Sequence, residues 1–311
     1  MSVEPARSSE FKISVCSLCR DDISAHSLYQ HIRPLFSDDA EFLLITNSKH
    51  EWDCYSAMRH FLQEAQGDLI IITHDDIRFG ELSLSLLLKR ISEVSSRDPT
   101  AALFGIAGIS RKGHKGVGHF HDASGEQLWG FYDGGQASSL DECFLVINRS
   151  KGINVSDDLS GYHFYGTDLC LNAMRSGLSC YAIDYPLIHQ SAGSLNENFF
   201  TARDCFEKHL EKQGLNRFIK TTCTVFYGKK NWLLQCWALA SSHVLLETPR
   251  HRDFDLASRC ITERGGARYG CYTLALMIRL CRFNAQCHRF FSDVIWWIQN
   301  WRFRIPGGGR T

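Results

Sequence analysis

The chain has 311 residues, of which 44% are hydrophobic and 22% are charged. This balance is typical of folded globular domains, so it excludes a wholly disordered chain and argues against a protein with many membrane spans. The formal net charge is zero, so the molecule as a whole has no field that would attract nucleic acid, and we expect no nucleic-acid partner.

Charge and cysteine are distributed unevenly along the chain. Residues 250–311 contain eleven arginines against four acidic residues, a balance of +7, which leaves −7 for residues 1–249. This basic end indicates contact with an anionic surface, such as a membrane. The thirteen cysteines form no dense framework, and residues 1–10 lack the apolar core of a signal peptide, so we predict reduced thiols in a cytoplasmic protein.

The first predicted elements form a βαβ unit. Residues 11–16 and 42–46 are short β-rich runs, and the polar stretch 23–35 between them suits a helix. Cys16 and Cys19 have the spacing of a zinc or redox motif, but no second such pair exists to complete a zinc site, so a core strand explains them better.

An amphipathic helix and a buried strand follow. Residues 52–65 carry apolar side chains at the three-and-four spacing of a helix, and Gly67 closes it. The run Leu69–Thr73 is continuously apolar, as expected of a strand that is buried on both faces, and it ends directly at His74.

Alternating elements continue to about residue 215 and predict an α/β fold. They are a helix over 81–94, strands over 101–107 and Phe144–Asn148, a helix over 167–176 and a strand over 180–183. The glycine-rich region 105–135 predicts long mobile loops. Its three histidines match no clear zinc template, and a loop near an acceptor site explains them equally well; they are His114, His119 and His121.

The pattern changes after residue 215 to longer apolar stretches, at Trp232–Leu246, 272–280 and 290–301. None reaches the roughly 18 uninterrupted apolar residues of a membrane span. We therefore predict a disordered N-terminus over 1–10, one domain over 11–215 and a basic helical extension over 216–311. The last stretch contains tryptophans beside arginines, which suits either an interfacial helix on an anionic membrane or a core helix.

Acidic residues directly follow the buried strand. Ligands collect at the carboxyl ends of strands in open α/β sheets, so Asp75 and Asp76 are suitably placed to hold Mg²⁺ or Mn²⁺. Such an ion would neutralise a diphosphate leaving group. Consecutive aspartates also start turns and cap helices, which is the alternative interpretation.

The order of these motifs over residues 11–200 resembles that of family 2 glycosyltransferases and their GT-A relatives. The matching segments are 11–16, 43–47, Ala65-Gln-Gly-Asp68, Leu69 to Asp76, 141–149, 161–171, 173–177 and 183–189. The resemblance implies a GT-A fold, a Rossmann-like mixed central sheet flanked by helices. It also implies metal-dependent, inverting transfer of a sugar from a nucleoside diphosphate sugar to a hydroxyl of a polysaccharide or glycoconjugate acceptor.

The resemblance also assigns roles to individual residues. Asp76 matches the last acid of the family's DXD motif and would bind Mn²⁺ or Mg²⁺, together with His189, whose alternative is a structural histidine. Residues expected at the nucleotide sugar are Cys16, Ser17, Asn47, His74 and Asp75. Asp141 and Glu142 would lie on the acceptor side. Asp168 would be the general base, or else a helix-start acid that the helix dipole favours.

Two other functions remain open from the sequence. His74-Asp75 is also the doublet of HD phosphohydrolases, which carry it on helices of an all-α fold. The second alternative is a catalytically degenerate scaffold that serves as a binding module. The departures of the chain from the family pattern favour it, and they lie at His74, Asn47, Arg59 and Gly166.

Overall fold

The fold comes from a computed structural model, which describes residues 11–80, 82–112, 115–122, 125–191, 195–247 and 254–286. Strand β1 (Ile13–Cys19) lies between β2 (Glu41–Thr46) and β3 (Leu69–Thr73), parallel to both. Helices α1 (Asp22–Ile32) and α2 (Cys54–Glu64) make the crossovers between these strands. The predicted βαβ unit is therefore confirmed, although β1 extends three residues beyond its predicted end.

Aspartates at the N-caps start both crossover helices. The side chain of Asp21 accepts a hydrogen bond from the Ser24 amide, and that of Asp53 accepts one from the Ser56 amide in a capping box. The sequence suggested that Gly67 closes α2. The structure differs, because α2 already ends at Glu64. A Cβ at Gly67 would lie 2.4 Å from the backbone nitrogen of Ser14, so only glycine lets the chain pass this close to β1.

The remaining elements alternate until residue 213 and are helical after residue 231. They are β4 (Ile77–Arg78), α3 (Leu84–Arg97), β5 (Ala101–Gly105), β6 (Ala107–Ser110), β7 (Gly116–Asp122), β8 (Gly125–Gly130), β9 (Gln136–Leu140), β10 (Phe144–Asn148), α4 (Tyr165–Arg175), β11 (Ser179–Ala182), β12 (Leu187–His189), α5 (Glu197–Gln213), β13 (Phe218–Lys220), β14 (Val225–Tyr227), α6 (Trp232–Leu246), α7 (Phe254–Tyr269) and α8 (Cys271–Gln286).

One mixed sheet organises the first part of the chain. Its strand order is β2-β1-β3-β10-β5-β11-β9-β6-β7-β12-β4, with β8 paired to β7. Strand β10 is antiparallel to both β3 and β5, whereas β11 is parallel to β5. Helices α1 and α3 pack on one face of the sheet in a single apolar cluster, and α2 and α4 contact its strands as well. The predicted mixed sheet with flanking helices is confirmed.

The prediction of long loops over 105–135 is wrong. Strands β6, β7 and β8 run through this region and extend the sheet. Glycine was taken as a signal of loops, but several glycines here lie where strands approach closely: a Cβ at Gly108 would lie 2.2 Å from the Ser139 carbonyl oxygen. Close backbone approach, rather than turn geometry, explains this composition.

The chain divides into two compact units. The first comprises residues 1–194, 201–209 and 220–222, and the second comprises 195–200, 210–219 and 223–311. In the second unit, α6, α7 and α8 pack on one another, which confirms a helical C-terminal part. Among the described residues, no helix is long and apolar enough to cross a bilayer. The predicted stretch 290–301 and its tryptophans lie outside the described residues.

Candidate active site

Strand β3 delivers the central residues of the candidate site. All five of its side chains are buried, as expected of a central strand whose two faces are covered, and β1 and β10 pair with its two edges. The His74 amide donates a hydrogen bond to the Cys143 carbonyl (3.0 Å), so the chain leaves the sheet directly after this residue. His74, Asp75 and Asp76 consequently lie at the carboxyl edge of the sheet, as the sequence predicted.

Three potential metal ligands converge at this edge. One ligand atom each from His74, Asp76 and His189 lies within 4.8 Å of the others. His189 reaches the cluster because it pairs with Ile77 across the antiparallel strands β12 and β4. Its Nε2 lies 3.4 Å from Oδ1 of Asp76, and that oxygen is buried without a well-formed hydrogen bond. An unsatisfied buried carboxylate oxygen is a suitable ligand for a cation.

Ionisation states at the cluster favour metal binding. Burial works against the charge of Asp76, but its contacts with His189 and Ser191 outweigh burial and hold its pKa well below the usual range. Burial, together with the neighbouring His189, lowers the pKa of His74. Asp76 and His74 thus have the protonation states that metal ligands require. At His189 burial works against the charge, but contacts with Asp76 outweigh burial and raise the pKa, so a cation would replace a proton there.

A tyrosine orients the ring of His74. The Tyr165 hydroxyl donates to the Glu142 carbonyl oxygen (3.0 Å) and lies 3.0 Å from Nε2 of His74. Since this hydroxyl has only one proton, Nε2 of His74 must be the donor to it. That tautomer leaves Nδ1 of His74 with a free lone pair. Tyr165 orients the ring through the hydrogen bond to its other nitrogen, as the partners of metal-binding histidines do.

Glu142 caps the helix that carries Tyr165. The N-cap residue of α4, Phe164, has φ of 72° and offers no side-chain cap, so the carboxylate of Glu142 accepts from the backbone amides of Phe164 and Gly166 instead. Burial, together with the neighbouring Asp141, raises the pKa of Glu142 to about 8. Glu142 is partly exposed as a residue, but its carboxyl group is enclosed at the start of α4, and its carbonyl oxygen accepts from the Tyr165 hydroxyl that contacts His74.

Gly166 stands where many family 2 glycosyltransferases, which the sequence resembles, have an acid. A Cβ at this position would lie 2.7 Å from the Leu140 carbonyl oxygen and 3.2 Å from Cγ of Glu142. The side chain of Glu142 thus fills the space into which a residue at 166 would extend. This packing gives a physical reason for the departure from the family pattern.

Asp75 points away from the ligand cluster. It is buried, and its Oδ2 accepts from both the backbone amide (2.9 Å) and Nε (3.0 Å) of Arg20. Arg20 directly follows β1 at the same sheet edge, and its side chain is 71% exposed. Sequence reasoning missed this arginine, although a basic residue just after the first strand was the available signal.

Cys16 and Ser17 lie within β1 rather than at its end, and both are almost fully buried. Their predicted contact with a nucleotide is therefore not favoured. The strand continues to Cys19 because its pairing with β2 runs on to Cys19 and Thr46. Cys16 and Cys19 are an odd number of residues apart, so they point to opposite faces of the sheet and cannot bind one ion. All twelve cysteines among the described residues are free thiols.

Asn47 is committed to closing a turn. Its Oδ1 accepts from the Trp52 amide (3.0 Å), and its Nδ2 donates to the Trp52 carbonyl (2.8 Å) and the Tyr162 hydroxyl (3.3 Å). Because each end of the amide already has partners, the side chain is not free to bind a nucleobase. The predicted contact of Asn47 with the base stays a prediction that this geometry does not favour.

Asp168 is enclosed at the start of α4. Its oxygens accept from the amide (2.6 Å) and hydroxyl (2.7 Å) of Ser156, and the residue has no exposed surface. Burial raises its pKa even so. A carboxylate in this position cannot contact an acceptor hydroxyl, so the geometry favours the alternative structural role over that of general base.

Asp141, the other residue predicted on the acceptor side, is held by two hydrogen bonds. Its Oδ1 accepts from the Cys143 amide (3.2 Å), and its Oδ2 accepts from the Thr222 hydroxyl (2.9 Å). These bonds fix the turn between β9 and β10, and with it the neighbouring Glu142. Asp141 therefore has a clear structural task, and its contact with an acceptor stays a prediction.

The fold and this strand-end cluster define an α/β protein with a candidate divalent-metal site. No protein-family profile matches the chain. A protein of Fuscovulum blasticum named ATP synthase subunits region ORF 6 is 30% identical over 209 residues, which cover 65% of this chain and 84% of that protein. The chain belongs to the same family as this protein, whose name states no activity.

Several solved structures are similar at low identity. One is a mannosyltransferase, PcManGT from Pyrobaculum calidifontis, in complex with GDP-Man and Mn²⁺ (9% identity, TM-score 0.42, covering 93% of this chain and 79% of that chain). Another is TarS 1-349 from S. aureus in complex with UDP-GlcNAc (9% identity, TM-score 0.47, covering 90% and 93%). Because both TM-scores lie below 0.5, these likenesses imply neither an activity nor a ligand for this chain.

Proposed function

We propose that the chain is a metal-dependent glycosyltransferase that moves a sugar from a nucleoside diphosphate sugar to a hydroxyl group of a saccharide or glycoconjugate. The observation that carries the proposal is the convergence of His74, Asp76 and His189 at the carboxyl end of a buried central strand. This is where an α/β sheet binds its ligands, and it is the strand end that the resemblance to GT-A enzymes assigns to the metal.

The donor atoms of this cluster fit Mn²⁺ better than Mg²⁺. Two imidazoles and one carboxylate would hold the ion, and imidazole nitrogen suits transition metals, whereas Mg²⁺ prefers oxygen ligands. When bound, such an ion neutralises the negative charge of a diphosphate leaving group. Tyr165 would keep the tautomer of His74 that can bind it.

Arg20 would contact the same diphosphate. Its mostly exposed guanidinium lies at the carboxyl edge beside β3, and Asp75 fixes it through Nε, which leaves its terminal nitrogens for phosphate oxygens. In this proposal Asp75 acts through Arg20 instead of touching the nucleotide. The sequence-based role of Asp75 is thereby changed from a ligand contact to a positioning contact.

Glu142 is the better placed general base. An inverting transferase needs a carboxylate that removes the proton of the acceptor hydroxyl as its oxygen attacks the anomeric carbon. Although the carboxyl group of Glu142 is enclosed, the residue is partly exposed and adjoins the tyrosine that orients His74, and burial beside Asp141 raises its pKa to about 8. We therefore propose Glu142 in the role that the sequence had assigned to Asp168.

A binding experiment tests the metal and donor site. Thermal unfolding of the full chain should be shifted upward by one of UDP-, GDP- or dTDP-sugars when Mn²⁺ is present, because a ligand that binds only the folded state stabilises it. Asp76→Ala should abolish the Mn²⁺-dependent part of that shift. The exposed Asp22→Ala is the matched control. An Asp76→Ala protein that binds as the parent does would contradict the site.

The phosphohydrolase alternative is less consistent with the structure. His74 and Asp75 follow a strand rather than lying on a helix, and Asp75 faces Arg20 instead of joining the ligand cluster. A binding module without catalysis is an outcome of the same experiment. Nucleotide sugars that bind with Mn²⁺ but are neither hydrolysed nor transferred would identify it.

The basic C-terminal extension is proposed to meet an anionic membrane. Residues 250–311 carry the excess of arginine, and α8 exposes an apolar row formed by Tyr272, Leu276, Leu280 and Phe283. Such a face beside arginine suits the boundary between headgroups and acyl chains. Catalysis is proposed to reside in 11–215.

A further inference from the structure

The hairpin of β7 and β8 carries a second group of potential metal ligands. One ligand atom each from His119, His121 and Glu126 lies within 4.8 Å of the others. None of these residues has a part in the proposed transfer reaction. We propose that they form a Zn²⁺ site that fastens the two strands of the hairpin together.

The pairing register of β7 and β8 brings these three side chains together. His119 and His121 are two residues apart on β7, so their side chains point to the same face of the sheet. Glu126 on β8 pairs directly with His121. Cross-strand neighbours of this kind have Cβ atoms about 5 Å apart, which is a separation that three side chains can close around one ion.

This group is separate from the first cluster. His121 also pairs with Ile188 of β12, so both side chains lie on one face, and the next residue, His189, points to the other. The two candidate sites therefore lie on opposite faces of the sheet. Each can be emptied by substitution without removing a ligand of the other.

A carboxylate behind His119 prepares its ring for metal binding. Nδ1 of His119 lies 2.8 Å from Oδ1 of Asp184, and the other oxygen of this carboxylate, Oδ2, lies 3.6 Å from Arg90. Nε2 of His119 lies 2.8 Å from Oε1 of Glu126. With Nδ1–H donated to Asp184, the position between Nε2 and Oε1 is open to either a proton or a metal ion. Zinc-binding histidines characteristically donate their second nitrogen to a carboxylate in this manner.

The donor set and exposure favour zinc. Two imidazoles and one carboxylate match three-ligand zinc sites, in which water takes the fourth position. His119 is only 16% exposed, whereas His121 and Glu126 are 40% and 59% exposed, so an ion can enter from solvent and then be partly enclosed. The competing state is a metal-free cluster of hydrogen-bonded ion pairs.

Metal stoichiometry in the full chain distinguishes these states. The Asp76→Ala protein, freed of metal by a chelator, should bind one equivalent of Zn²⁺, and Co²⁺ should give the absorption of a four-coordinate site. Adding His121→Ala should weaken binding at least tenfold, whereas adding the exposed His26→Ala should not change it. Asp184→Asn should lower the affinity roughly 10- to 100-fold at unchanged stoichiometry.

Two results would overturn the proposal. One is an Asp76→Ala protein, shown by circular dichroism to be folded, that binds no Zn²⁺. The other is equal Zn²⁺ binding after His121→Ala or Glu126→Gln, which would place the ion elsewhere. Because no nucleotide is used, either result leaves the proposed glycosyltransferase activity to its own test.

Discussion

Two opposing influences act on the carboxyl group of a single residue, Glu142. Its carboxylate accepts from the amides of Phe164 and Gly166, yet burial beside Asp141 raises its pKa to about 8. A folded-state pKa above the unfolded value means that ionisation of Glu142 costs stability as pH rises through about 8. Such a cost is expected where a carboxyl group is kept for chemistry.

Replacement of Glu142 by Gln should therefore separate activity from stability. We expect Glu142→Gln to lower kcat at least 100-fold, since the proposed base is removed. The same change should leave the melting temperature at pH 8 to 9 unchanged or higher, since no charge has to be buried. In the parent enzyme, kcat/KM should rise with pH through about 8.

Asp168→Asn is the comparison for this experiment. It should destabilise the fold, because the bonds from Ser156 to a carboxylate are weakened, while the remaining folded enzyme keeps its pH profile. A loss of kcat in Asp168→Asn that matches the loss in Glu142→Gln, at unchanged stability, would restore Asp168 as the base.

At the scale of elements, the start of α4 joins the sheet to the candidate active site. A Cβ at Gly166 would lie 2.7 Å from the Leu140 carbonyl oxygen of β9. We expect Gly166→Ala to destabilise the protein by about 1 to 3 kcal/mol, because either α4 or β9 must move. Chemical denaturation measures this loss. An unchanged denaturation midpoint would show that α4 and β9 can move apart at no cost in stability.

Asp98 ties the end of α3 to two strands. Burial alone would raise its pKa, but hydrogen bonds from the side chains of Thr100 and Tyr181 outweigh burial and hold the pKa at about 2. A depressed pKa gives stability that is present above the unfolded value of 3.8 and is lost as pH falls through about 2.

Asp98→Asn should thus cost about 1 kcal/mol at pH 7, after allowance for the partial exposure of this site. The cost should shrink as pH is lowered from about 4 to 2, because the parent then loses the same charge. Thermal or urea unfolding at several pH values checks the slope. The exposed Glu51→Gln should show neither effect, and a cost independent of pH would mean that shape alone is lost.

Local patterns predicted those elements whose burial is complete or strongly periodic. Strand β3 and helix α2 were predicted to within one or two residues, because a continuous apolar run and a three-and-four spacing have few other solutions. Strands β6 to β8 were missed because pairing partners distant in sequence, rather than their own composition, make them strands. The sequence does not reveal such register.

The same limit applies to the sites. His74 and Asp76 could be placed from β3 alone, and His189 from the resemblance, but their convergence depends on the pairing of β12 with β4. Glu126 meets His121 only through the hairpin register. Arg20 was overlooked because β1 was expected to end at Cys16, which placed the wrong residues at the sheet edge.

For the whole molecule, zero net charge conceals a separation between an acidic first part and a basic end. Within this basic end, the structure describes helix α8, whose Tyr272 and Phe283 are 94% and 57% exposed. Burying a row of such side chains in a membrane surface removes apolar area from water, and each nearby arginine adds attraction to anionic lipid. Both contributions should be measurable.

We expect the full chain to sediment with vesicles containing phosphatidylserine, and the bound fraction to fall as salt rises from about 0.1 to 0.5 M, because screening shortens the reach of the charges. Leu276→Glu should reduce binding by placing a charge in the apolar row, and Arg279→Glu should reduce it more at low salt than at high salt. Arg175→Glu, on α4 of the first unit, is the matched control and should bind as the parent does. Equal binding to neutral vesicles, or none to anionic ones, would instead make the row a surface that protein covers.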